Sequence, residues 1–222
     1  VFPLTPIAPY DFDKLISKSE YNRRQLKQRG QFAPLITATP EQRADGLWRD
    51  QIFIAADALI MVVIDMLISA GAKRAAIGHV MHDLQLEVIS HLNDLDGGKA
   101  VHIVFAHDGE RWLILSAPNV LAAMAETAAH FKANCPDLAK FGIAEAPRIA
   151  FFCVGLHDAL TTLRARAAEH DIEIPARIWP TLEELDAGAD LLAAAIAPRR
   201  SLVIEKWQAM RHLEAAKEGA LQ

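Results

Sequence analysis

Between Lys14 and Arg29 the chain sets six cations (Lys14, Lys18, Arg23, Arg24, Lys27 and Arg29) against a single carboxylate, Glu20. The whole protein carries a formal charge of -5, so this positive charge is concentrated locally. Asn22, Gln25 and Gln28 are interleaved with the cations. Lysine and arginine neutralise phosphates, while arginine, glutamine and asparagine hydrogen-bond base edges, so the chemistry this stretch suits is recognition of a nucleic acid. Local charge of this kind acts within a Debye length and is compatible with an acidic body.

The other chemically capable residues are more scattered. His79 and His82 are three apart and His91 follows, but no Cys, HExxH or similar frame surrounds them, so no metal is expected. Cys153 lies in IAFFCVGLHD, near His157 and Asp158. A thiol in an apolar strand is expected to serve as packing, because burial raises its pKa and blunts it. Cys135 and Cys153 are read as unrelated thiols rather than a disulfide. His102 and His107 bracket an apolar run and are expected to face solvent. No GxSxG, GxGxxG or phosphate-loop string occurs. The expectation is therefore a protein without catalysis of its own and without a cofactor.

The elements that must position the basic residues can be read from periodicity. Asp11 to Ile16 fits a short helix, and Ser17 and Ser19 suit a turn and an N-cap. Tyr21 to Arg29 fits a second helix, closed by Gly30. Gln31 to Gly46 reads as a loop or two-stranded wing. From Ile52, apolar residues recur at helical spacing up to Gly71, and Lys73 to Leu92 continues as a second helix of a hairpin. Ala100 to Ala106 and Arg111 to Ser116 predict a β-hairpin, followed by a helix from Pro118 to about Ala133. Asn134 to Pro147 is the linker candidate. A strand at Arg148 to Val154, a helix at Leu156 to His170 and a short strand at Glu173 to Trp179 follow. A helix from Thr181 to Ala197, a strand at Ser201 to Ile204 and a final helix to Glu218 complete the expectation.

This order of elements resembles the MerR-type winged helix-turn-helix of transcription regulators over the first third of the chain. The resemblance rests on Tyr10 and Asp11 to Ile16 as first helix, Ser19 to Gly30 as recognition helix and Pro34 to Arg43 as wing. Trp48 stands near the closing aromatic, and Ile52 to Ala72 with Ala75 to Leu84 are the trailing helices. The first helix is short, and Lys18 and Arg23 stand where that family places apolar core residues.

The resemblance implies a homodimer that binds double-stranded DNA at a near-palindromic site. Arg23, Arg24 and Lys27 would face the groove, with Lys18 and Arg29 on phosphates and Arg43 reaching the flanking backbone, and Lys14 and Asn22 complete the expected DNA-binding set. The fold class expected is α+β, mostly helical, with residues 1–95 forming the DNA-binding part and 96–222 a β-hairpin plus α/β region for dimerisation or sensing. The opening VFPLTPIAPY lacks the features of a signal peptide, and the apolar run from Ile52 to Ala72 is broken by Asp57 and Asp65. A cytoplasmic protein without a membrane segment is the expectation. An interaction scaffold, or a small-molecule binder or enzyme built on Arg148 to Ile204, is the alternative.

Overall fold

The computed structural model describes residues 2–35, 53–108, 112–133 and 149–181. Helix α1 (Pro9–Leu15) starts on a proline, which costs nothing in a first turn. Helix α2 (Glu20–Gln28) opens on Ser19, whose hydroxyl accepts from the Asn22 N–H at 3.3 Å. It ends at Arg29 and Gly30, where Gly30 takes φ +65°, a left-handed conformation that glycine enters without cost.

Helix α3 (Ala55–Ser69) is the centre of the molecule, with every residue from Ala55 to Ile64 buried. A helix apolar on all sides has to be enclosed. Helix α8 (Leu156–Glu169) packs along it and also against α1. The Arg166 guanidinium donates to the Leu15 carbonyl at 3.0 Å, tying α8 to the end of α1. An isolated antiparallel bridge from Ile7 to Phe53 draws the N-terminal arm to the start of α3. Phe12, Phe32 and Phe53 stack beneath it, with 4.3 Å between the Phe12 and Phe53 ring centres.

The helix expected over Lys73 to Leu92 is divided into α4 (Arg74–His79), α5 (Met81–Ser90) and α6 (Leu92–Asp96). The breaks fall at Val80 and His91, whose backbones leave the helical region. At Gly78 the backbone comes so close to the end of α2 that a Cβ would stand 3.2 Å from the Gln31 side chain. Packing onto a neighbour thus bends this segment where periodicity predicts a straight run.

Strands β1 (His102–His107) and β2 (Trp112–Ala117) form the expected hairpin, in antiparallel register from His102 opposite Ala117 to His107 opposite Trp112. β3 (Ala150–Gly155) pairs antiparallel on the other side of β1, giving the order β2-β1-β3. Central β1 is buried on both faces, which explains its unbroken apolar sequence. Ile103 and Phe105 join the main helical core, while Val104 and Ala106 join a second cluster closed by Ala123 and Phe131 of α7 (Val120–Ala133).

His102 and His107 are half-buried rather than solvent-facing, because they end the central strand between two neighbours. The stretch from Glu173 to Trp179 is not a strand. The N–H groups of Ile178 and Trp179 go to the Asp96 carboxylate at 3.1–3.3 Å instead of to a ladder.

The class is mixed α+β with helices predominating. The main core gathers residues from Phe12 to Trp179 and crosses the expected boundary at residue 95. The wing beyond Leu35, the linker, Cys135 and the elements expected beyond Thr181 lie outside the described residues.

Candidate nucleic-acid interface

Two residues seat α2 in the fold. Leu26 enters the main core, and Arg23 is buried beside it. The Arg23 Nε donates to Asp13 Oδ1 at 2.5 Å, a second nitrogen reaches Asp13 Oδ2 at 3.3 Å, and the guanidinium lies 4.8 Å from the Phe53 ring centre. A planar, forked cation matches a carboxylate and an aromatic face together, and a lysine would not. The resemblance to a recognition helix puts Arg23 in a DNA groove. The fold instead takes it inward and neutralises it with Asp13 of α1.

Lys18 is likewise redirected. Its ammonium pairs with Asp65 of α3 at 2.7 Å, with both side chains only about a fifth exposed (21% and 17%), so it ties the turn after α1 to the central helix. Lys14 is half-buried, 4.3 Å from the Tyr10 ring centre and 4.0 Å from Asp11.

The outer side of α2 retains the other predicted residues. Asn22, Arg24, Lys27, Gln28 and Arg29 are exposed, with Tyr21 beside them at 70% exposure. Arg24 pairs with Glu20 one turn earlier at 2.5 Å, in the open. Lys27 and Arg29 have no carboxylate partner among the described residues. Both stand at the end of α2, where a cation is favoured by the helix dipole. Arg43 lies outside the described residues.

Asp57 is a structural carboxylate that, in the sequence, shows only as a break in an apolar run. It is buried in the first turn of α3 and accepts the N–H groups of Leu35 at 2.8 Å and Ile54 at 3.0 Å. Burial raises its pKa to about 7, against the downward pull of those two bonds. Its usable signal is position, since an acid three residues after a helix start commonly caps backbone N–H groups.

The remaining chemical candidates are not brought together. His79 and His82 are exposed on different helices, and no group of three potential metal ligands forms among the described residues. Cys153 is a free, half-buried thiol opposite Val104 of β1, and burial pushes its pKa up. No described helix is long and apolar enough to cross a membrane. No protein-family model and no curated protein matches the chain.

Proposed function

We infer that the chain binds double-stranded DNA through the outer side of α2, as a homodimeric transcription regulator. The observation carrying this reading is how α2 is mounted. Arg23 and Leu26 anchor one side, and the other side is exposed, with guanidinium, ammonium and amide groups along it. Such a helix has the donors needed to meet phosphates and to read base edges. Asn22, Arg24 and Gln28 are the base-facing candidates, and Lys27 and Arg29 the phosphate-facing ones. Arg23 and Lys18 take no part in the DNA surface, because each is committed to an internal carboxylate.

The test is a salt titration of duplex binding followed by fluorescence anisotropy. Replacing Lys27 and Arg29 by alanine is expected to lower the slope of log affinity against log salt by about 1 for each phosphate that is no longer neutralised. A slope unchanged in the double variant removes α2 from the interface. A second reading, a non-catalytic interaction scaffold, is favoured by the exposure of Val120, Leu121 and Met124 on α7. Retained self-association after Leu121→Glu and Met124→Glu would count against that surface.

A further inference from the structure

His91 stands at the break between α5 and α6, and its two ring nitrogens engage different elements. Nε2 lies 2.5 Å from the Ser116 hydroxyl on β2, and Nδ1 lies 3.3 Å from Asp94 Oδ2 on α6. Asp94 is itself held by the Lys99 ammonium at 2.7 Å. Serine on one nitrogen and carboxylate on the other is the arrangement that converts a hydroxyl into a nucleophile, wherever in the sequence its members lie. His91 and Asp94 are three positions apart at the start of α6, and Ser116 comes to them from 25 positions further along the chain.

The surroundings suit that role. His91 and Asp94 keep 28% and 36% of their side-chain surfaces in solvent, and Ser116 is half-buried, so the hydroxyl is sheltered without being sealed. β2 is an edge strand among the described residues, and alternate N–H groups of an edge strand turn away from its partner. Those groups are a source of donors for a developing oxyanion. Trp112 and Ile114 share the Ser116 face of β2 by strand alternation and pack on the main core, so the strand face that carries the hydroxyl is otherwise apolar.

We propose that Ser116 is a nucleophile activated by His91 and positioned through Asp94, acting on small carboxylic esters with an apolar acyl group. Ser116 Oγ forms a bond to the carbonyl carbon while its proton passes to His91 Nε2. The ester C–O bond then breaks, and the alcohol leaves with that proton. Water adds to the acyl-serine, gives a proton to His91, and releases the carboxylic acid as the proton returns to Ser116. Glu87 Oε1, 3.5 Å from Nε2, and Asp94 both favour the imidazolium formed in between. The hydrogen bond to Glu87, followed by that to Asp94, lifts the His91 pKa above the ordinary imidazole value against the effect of partial burial.

This site is independent of α2, so DNA binding and acyl transfer can fail separately. The full-length protein is treated with a fluorophosphonate probe and the modified residue is mapped by peptide mass. Covalent labelling at Ser116 is expected, with loss of fluoride. The labelling rate should fall at least about 100-fold in His91→Gln, in the range of general-base catalysis. In wild type the rate should rise with pH through a midpoint above about 6.5, and Asp94→Asn should move that midpoint down. Because loss of any neighbouring carboxylate shifts that midpoint, the positioning role is read from the labelling rate at high pH, where His91 is neutral in both proteins, and a rate there equal to wild type removes Asp94 from the proposal. Absence of label on Ser116 overturns the proposal. So does labelling that is equally fast without the His91 imidazole. Because the mapping is done on wild type, poor folding of a variant does not protect the idea.

Discussion

Arg23 and Arg24 are adjacent in sequence and opposite in fate. Arg23 is buried against the Phe53 ring and locked to Asp13, whereas Arg24 lies on the open side of α2 with Glu20. One step along a helix is about 100°, enough to carry a side chain from the core side to the solvent side. The same guanidinium is therefore a buried structural part in one case and a solvent-exposed, surface-paired group in the other. A count of cations does not separate them; the position of α1 does.

The largest expected effect breaks the inner pair. Removing one partner strands the other charge in a buried site, so Arg23→Ala or Asp13→Ala is expected to cost about 3–5 kcal/mol in urea unfolding. Arg24→Ala should cost less than about 0.5 kcal/mol in the same experiment, because its pair is exposed. Equal losses at the two positions would erase the contrast. Replacing both inner partners, Arg23→Met with Asp13→Leu, is expected to recover most of the stability, since apolar side chains of similar size carry no desolvation penalty.

Asp57 sharpens the contrast, as a buried acid satisfied by backbone rather than by a cation. Asp57→Ala leaves two buried N–H donors without their acceptor and is expected to cost about 2–4 kcal/mol. Its pKa is raised in the fold to about 7, so the folded state favours the protonated acid. The stability it contributes is complete below the ordinary carboxyl value of 3.8 and is lost as the pH rises through about 7. Unfolding free energies taken from about pH 4 to pH 8 should therefore decline more steeply in wild type than in Asp57→Asn. Parallel curves would mean that Asp57 does not titrate in this window.

The smallest effect concerns Cys153. Cys153→Ser is expected to lower stability by about 1 kcal/mol by placing a hydroxyl in a half-buried apolar setting, without touching DNA binding or Ser116 labelling. The wild-type thiol should react slowly with a thiol reagent near neutral pH, since burial keeps it protonated.

Much of the secondary structure is legible because it rests on local rules. Ser19 opens α2, Gly30 closes it in a left-handed conformation, and two apolar runs separated by a polar turn mark the β1–β2 hairpin. Local rules fail where packing outweighs propensity. Gly78 lets α4 meet the end of α2 and the expected long helix breaks at Val80, while Asp96 captures the N–H groups of Ile178 and Trp179 and no strand forms. The Ser116–His91–Asp94 cluster is invisible in the sequence for a related reason. Its members occupy ordinary positions along the chain, and only the approach of β2 to the α5–α6 break joins them.

Taken alone, the order of residues determined that this protein has a short capped helix dense in cations and amides, a helical hairpin seed and an apolar β-hairpin, because caps, turns and periodicity depend on neighbours within a few positions. Tertiary structure decided which of those cations remain outside, which carboxylates sit in the core and which hydroxyl meets an imidazole. Those outcomes depend on distant segments arriving at the same place, and burial then assigns each charge either to a partner or to water.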